Sequence, residues 1–293
     1  MTLPQNFKSK VREAVLESRK RHGGSDAAYA KTLGISPAIY SRIKSGETDN
    51  IVTDAKWLQW GRELDVSMKN QNWKIARTSV YNNIESNLKF CQTFSKSMIL
   101  VDDNGIGKTR CAKHIVKSMM NAFYFDCSQA KTKQAFIRSL AQTVGVENRG
   151  RYIDVKANLK YYLNAIETPL IVLDEAGDLE YSAFLEIKEL WNGTEGACAW
   201  YMMGAAGLRA KINKGIGREK VGFAEIFDRF SDEFIKLVPV GSDNKQAFYR
   251  ELITSVASVN AEAKIVPKLV KKCVSTDFQK SLRTLETLIQ VAR

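Results

Sequence analysis

Three consecutive stretches constrain this chain more than any others. An apolar run, Met98-Ile99-Leu100-Val101, leads into Asp102-Asp103-Asn104-Gly105-Ile106-Gly107-Lys108-Thr109, and a helical pattern, Cys111-Ala112-Lys113-His114-Ile115-Val116, follows. Strand, glycine loop and helix in that order are the setting of a phosphate-binding loop. Gly105 and Gly107 allow positive φ and let the backbone approach a bound anion closely. Loop N–H groups and the helix N-terminus offer it partial positive charge. Lys108 adds a full charge for the β- and γ-phosphates, and the Thr109 hydroxyl is placed to ligate Mg²⁺. The pattern G-x-x-x-x-G-K-[ST] begins with glycine, whereas this chain has Asp102 there.

A second element supports the first. Pro169-Leu170-Ile171-Val172-Leu173-Asp174-Glu175 is an apolar run ending in two carboxylates. A near-continuous apolar run suits a parallel strand buried on both faces. Its C-terminal end is where open α/β sheets bind ligands. Asp174 is expected in the Mg²⁺ shell, and Glu175 is expected to orient and activate the attacking water. ATP and Mg²⁺ are the expected cofactors. The nucleotide contacts are assigned to Asn104, Gly105, Ile106, Gly107, Lys108, Thr109, Arg110 and Asp174.

Further strands are expected at 122–127, 197–203 and 234–240, and helices at 82–95, 132–144, 154–167 and 184–190. Strands alternating with helices imply a parallel sheet covered on both faces, an α/β fold. Residues 243–293 carry no strand pattern and read as three or more helices.

The N-terminal part is different. Residues 7–21 have the helical period, with Phe7, Val11 and Val15 on one side. Ser25-Asp26 caps a short helix, Ala27 to Leu33, which Gly34 ends. Ser36 then caps a helix with Pro37 at its first position, running to Lys44. Two helices about a glycine turn in some 20 residues make a helix-turn-helix. Ala30, Leu33, Ile35, Ile39 and Ile43 form its expected core. Ser36, Ala38, Tyr40, Ser41, Arg42 and Lys44 are expected to be exposed, with Ser36, Tyr40, Arg42 and Lys44 facing DNA. The alternative is a small bundle used for protein contacts. Few of these side chains suit bidentate base readout, so phosphate contacts with weak sequence preference are expected. Trp57, Leu58, Trp60, Leu64 and Val66 close this unit. The expected domains are 1–66 (helix-turn-helix), 67–80 (a polar, basic linker with Lys69, Lys74 and Arg77), 81–241 (α/β core) and 242–293 (a helical lid).

Net charge over the 293 residues is +12, which favours a polyanionic partner. Residues 208–220 hold five of these cations, Arg209, Lys211, Lys214, Arg218 and Lys220, against Glu219 alone. This stretch is a second candidate DNA contact, with a solvated charged face as the alternative. The five cysteines, Cys91, Cys111, Cys127, Cys198 and Cys273, form no C-x-x-C pair, which suggests neither a disulfide framework nor a zinc site. No apolar run approaches the ~18 residues of a membrane span, and the N-terminus lacks a signal-peptide core. A cytoplasmic protein with no membrane partner is expected.

The order of these parts resembles the AAA+ ATPases. The resemblance implies that Asp174-Glu175 is the second nucleotide motif and that Asp228-Arg229-Phe230 supplies an arginine finger. Arg229 would then act with Glu175 in catalysis, reaching the nucleotide of a neighbouring subunit. It also matches Ser281-Leu282-Arg283-Thr284-Leu285-Glu286 to a sensor-2 segment, with Arg283 near the phosphates of its own subunit. The blander reading makes both arginines surface ion-pair residues. Where the family places Ser, Thr or Asn to orient the lytic water, this chain has Gly204-Ala205-Ala206, and alanine cannot make that bond. Slow hydrolysis is therefore expected. A helix-turn-helix followed by one such module resembles the family of the phage Mu B transposition protein and its transposon relatives. That resemblance implies ATP-dependent, largely non-sequence-specific binding of double-stranded DNA, a homo-oligomeric filament or ring on it, and delivery of the DNA to a transposase. The competing readings are an AAA+ helicase or initiator loader and a nucleotide-sensing helix-turn-helix transcription regulator.

Overall fold

The computed structural model describes residues 3–64, 66, 68, 73–274 and 282–292. Four helices come first: α1 (Gln5–Arg19), α2 (Asp26–Thr32), α3 (Pro37–Ser45) and α4 (Asp54–Glu63). Side-chain oxygens set three of their starts. Ser25, Ser36 and Thr53 accept from Ala28, Ile39 and Lys56 N–H, satisfying first-turn donors that have no partner within a helix. Gly46 ends α3 at φ 109°, a left-handed conformation that glycine adopts freely. Arg12 crosses from α1 to donate to the carbonyls of Ile43 and Lys44 at the same helix end. Val11, Val15, Tyr40, Ile43, Trp57 and Trp60 meet in the shared core. Tyr40, expected on the outer face, is 1% exposed and stacks edge-on against Tyr29. It stands three residues before Ile43, and so shares that residue's inward face.

The α/β part follows with α5 (Ser79–Phe94), β1 (Ser97–Val101), α6 (Lys108–Val116), β2 (Ala122–Asp126), α7 (Lys133–Val144), α8 (Tyr152–Ala165), β3 (Leu170–Asp174), α9 (Tyr181–Gly193), β4 (Ala199–Gly204), α10 (Ala206–Ile216), α11 (Phe223–Arg229) and β5 (Phe234–Ile235). The strands form one parallel sheet in the order β2-β3-β4-β1-β5. Alternation along each strand feeds two cores. Ile99, Ile171, Leu173, Trp200 and Met202 face α7 to α11. Leu100, Leu170, Val172, Tyr201 and Met203 face α5, α6 and the first lid helix.

β5 is two residues long, shorter than the strand at 234–240 that the apolar run suggests. The backbone N–H groups of Leu237 and Val238 bond to the Asp102 carboxylate instead of continuing a ladder, and Pro239 has no N–H to offer. The lid is α12 (Ser242–Asn260), α13 (Val266–Cys273) and α14 (Leu282–Ala292), with its own small core. No helix of the described residues is long and apolar enough to cross a membrane.

The helical unit docks at the N-terminal edge of the sheet. Asn121, just before β2, is 4% exposed. Its Oδ1 accepts from Gly23 N–H at 2.8 Å and its Nδ2 donates to Glu167 O at 2.7 Å, while its own N–H donates to Arg21 O. Beside it, the His22 ring packs edge-on to Tyr29 and Phe123.

Replacing Asn121 with Ala removes two part-buried hydrogen bonds, those to the Gly23 N–H and the Glu167 carbonyl. The expected cost is about 1–3 kcal/mol in chemical denaturation, with faster amide exchange at Gly23. A change within about 0.5 kcal/mol, the range of an ordinary surface substitution, would show that this junction does not fasten the two parts.

Candidate nucleotide site

The loop 102–107 leaves the C-terminal end of β1, and Asp174 ends β3, with β4 between the two strands. Two strand spacings separate them, about 10 Å, enough room for a phosphate chain and a cation. Gly105 and Gly107 have φ of 75° and 96°, so both glycines are used as expected. Gly107 also lies against the lid: a Cβ there would meet Leu282 Cδ1 at 3.3 Å.

Lys108 opens α6 and is buried. Its Nζ donates to the carbonyls of Asp102 (2.9 Å) and Asp103 (2.7 Å). Burial lowers its pKa, although Asp102, Asp174, Glu175 and Asp103 all pull the other way. An ammonium held on two backbone carbonyls in a dry wall is poised for an anion that can replace them.

Asp174 is 2% exposed. Tyr124 OH donates to its Oδ2 at 2.6 Å and Glu175 N–H to its Oδ1 at 3.0 Å. Burial first, then the Asp174 carboxylate, pushes the Tyr124 phenol up, so it stays a donor. Glu175 has φ 50° and an exposed side chain. Desolvation, with Asp174 and Asp178 nearby, raises its pKa above the ordinary carboxylate value. Two carboxylates and a threonine hydroxyl are hard oxygen donors of the kind Mg²⁺ takes. Ala205 ends the neighbouring turn after β4 as the N-cap of α10, with no hydroxyl or amide to offer.

A cleft of about 380 Å³ runs from the loop to the lid, a size suited to a small ligand. Asn104 to Arg110 and Glu175 line it with Leu282, Arg283 and Glu286 of α14. Arg283 thus sits on the same cleft as Lys108; Ser281 lies outside the described residues. The cleft's third wall is Trp73, Lys74, Ile75, Ala76 and Thr78. No motif or period marks that segment, and by sequence alone it belongs to the linker; Lys69, assigned to the same linker, lies outside the described residues. Asn260 of α12 holds the wall, accepting from Lys74 N–H and donating to Lys74 O. Its apolar members offer a surface for the flat face of a base. A separate depression on α12 is lined by that helix alone, so nothing converges on it.

Arg229 lies at the other end of the sheet. Its guanidinium sits 5.1 Å over the Trp191 ring, and Trp191 in turn donates to Ser97 at the start of β1. Its Nη1 is buried without a hydrogen-bond partner. The five residues of β1 put about 13 Å between that end and the loop. Arg229 therefore does not reach the nucleotide cleft of its own chain.

The two basic regions differ from expectation in part. Ser36, Arg42 and Lys44 are exposed on α3. Arg42 pairs with Glu47 at 2.7 Å and Lys44 with Asp26 at 2.8 Å. Such surface pairs are worth little and exchange readily. Lys214, Arg218 and Lys220 are exposed at the end of α10 and in the turn beyond it, with Lys220 over the Tyr181 ring, and Arg209 is half-buried. Lys211 is not a surface cation: its Nζ donates to the carbonyls of Gly177 and Leu179, and burial lowers its pKa. It fastens α10 to the turn that follows Glu175.

A protein-family model described as "AAA domain" matches residues 94–212, the segment carrying both the loop and the carboxylates. A search of curated proteins finds no match. The solved structure of NtrX from Brucella abortus in complex with ATP is similar, with 12% identity and a TM-score of 0.44 over 92% of this chain. The chain spans 64% of the length of that NtrX chain. Residues 94–212 are thus similar to AAA domains, and they lie in a five-stranded parallel sheet flanked by helices.

Lys108→Ala removes the cleft's central charge. ATP affinity measured by calorimetry is expected to fall at least tenfold with the fold intact. Unchanged affinity would remove the loop from the binding site.

Proposed function

We propose that this protein is an ATP-hydrolysing AAA+ ATPase that assembles on double-stranded DNA in its ATP-bound state and presents that DNA to a transposase. The convergence of Lys108, Glu175 and Arg283 on one cleft, with Asp174 one residue before Glu175, carries the nucleotide part. Lys108 leaves the carbonyls of Asp102 and Asp103 for the phosphates, and Thr109 and Asp174 hold Mg²⁺. The metal, when bound, neutralises charge on the phosphate oxygens. Tyr124 holds the Asp174 carboxylate in one orientation, and Glu175 accepts a proton from the attacking water. Ala205 gives that water no second anchor, so turnover is slow. Arg229 acts between subunits, leaving Trp191 for the neighbour's cleft.

Support for DNA comes from the net charge of +12 and from two exposed basic regions. Ser36, Arg42 and Lys44 form one, and Lys214, Arg218 and Lys220, with the half-buried Arg209, form the other. Their charge is carried by Lys and Arg, which favours contacts to phosphate. Delivery to a transposase rests on the resemblance in domain order.

Glu175 must be deprotonated to act as a base, and its pKa is raised. Hydrolysis should therefore fall as pH drops, with a midpoint above the ordinary carboxylate range. Glu175→Gln should nearly abolish turnover while ATP still binds. Wild-type turnover in that variant would remove Glu175 from catalysis.

DNA affinity, read at two salt concentrations with a non-hydrolysable ATP analogue, tests the rest. Arg42→Ala with Lys44→Ala should weaken binding modestly. Lys214→Ala, Arg218→Ala and Lys220→Ala together should weaken it more. They should also flatten the salt dependence by about 0.9 in log–log slope for each phosphate that is no longer neutralised. Arg229→Ala should lower DNA affinity while leaving ATP binding in place. If only the Arg42 and Lys44 pair matters, and one DNA sequence is preferred, the ATPase part does not touch DNA.

A further inference from the structure

We propose that Asp102, standing where phosphate loops carry their first glycine, is a positioning residue that fixes the helical lid against the loop. The inference rests on the nucleotide-binding reading and adds to it the residue through which the loop reaches the lid.

Asp102 is not among the residues with positive φ, so the backbone there has no need of glycine. Its side chain is free to take a structural role, and it is 7% exposed. Oδ1 accepts from Asp103 N–H at 2.7 Å. Oδ2 accepts from Leu237 N–H and, at 2.8 Å, from Val238 N–H. A carboxylate taking three backbone N–H groups makes charge-assisted bonds, and those to Leu237 and Val238 stand in for the ladder bonds beyond β5.

The register explains the choice of partner. Ile99 pairs with Phe234 and Leu100 with Ile235. Continuing that register by two residues puts Asp102 opposite Leu237. The carboxylate thus takes over from β1 where the loop turns away from the sheet. It holds the segment that runs from β5 into α12.

The same residue faces the site from its other side. The Asp102 carbonyl accepts from Lys108 Nζ. When Lys108 turns to a phosphate, that carbonyl gives up its donor, and the side chain passes the adjustment to residues 237 and 238. Asp103 makes a second contact to the lid, through Tyr249 OH at 2.9 Å and Lys245 Nζ at 2.6 Å. The share of Asp102 must therefore be read at its own amide partners.

Hydrogen exchange by NMR reads those amides directly in the full chain, with and without a non-hydrolysable ATP analogue. In the wild type, Leu237 and Val238 should exchange slowly, and the analogue should slow α12 further. Asp102→Gly, which restores the glycine of the motif, should speed exchange at both amides about tenfold or more. It should still bind the analogue, yet show little of the added protection in α12. Asp102→Asn, with one acceptor oxygen instead of two, should fall between. Amides of β3 and β4 report whether each variant is folded. Wild-type exchange at 237 and 238, or undiminished lid protection, in a folded variant would overturn the proposal. Collapse of the sheet in both variants would also overturn it, since Asp102 would then be a requirement for folding. Failure of the wild type to bind the analogue would instead sink the nucleotide reading, and Lys108→Ala separates that case.

Discussion

Two adjacent carboxylates, Asp102 and Asp103, close the chain on itself at the end of β1. Asp102 bonds to N–H groups 135 and 136 residues further on, and Asp103 bonds to Tyr249, 146 residues on. The Gly105 carbonyl then accepts from Leu282 N–H at 2.9 Å, at the start of the last helix. A loop whose amides must point at an anion cannot also bury them in a ladder, so its stiffness has to come from elsewhere. Here it comes from parts of the chain that form a wall of the same cleft. The loop and the lid are therefore fastened directly to each other.

Electrostatics at the cleft follow from this closure. Lys108 is buried because lid and loop leave it little water, and burial lowers its pKa against the pull of four carboxylates. Asp174 is held by a phenol and a backbone amide, both neutral donors, so its charge remains available. Glu175 stands one residue beyond, more exposed, with its pKa raised. Neighbouring carboxylates in different surroundings can take different roles, one holding a cation and the other a proton.

Much of this was legible in the sequence because it is local. The strand, loop and helix around Lys108 declare themselves by composition and order, and so do the apolar run ending in Asp174 and the Ser25 and Ser36 caps with Pro37. What was not legible depends on partners far along the chain. Residues 73–78 have no period because they lie in no helix or strand, and Lys74 is held by Asn260, 186 residues away. Lys211 counts as a basic residue in any tally, yet it points inward three residues after buried Leu208. The run 234–240 looks like a strand, but its amides belong to a side chain at position 102. Tyr40 is the exception, since its spacing from Ile43 already placed it inside.

Nothing among the described residues of one chain brings Arg229 to a nucleotide, and its stacked position on Trp191 leaves one guanidinium nitrogen without a partner. A catalytic role for Arg229 therefore requires a second subunit, ordered on DNA by the nucleotide. Electron microscopy of the protein with duplex DNA of random sequence, once with ATP and once with ADP, tests that requirement most directly. A regular protein coat along the duplex with ATP, and bare duplex with ADP, is the predicted result. Separate particles at one DNA site under both nucleotides would contradict it.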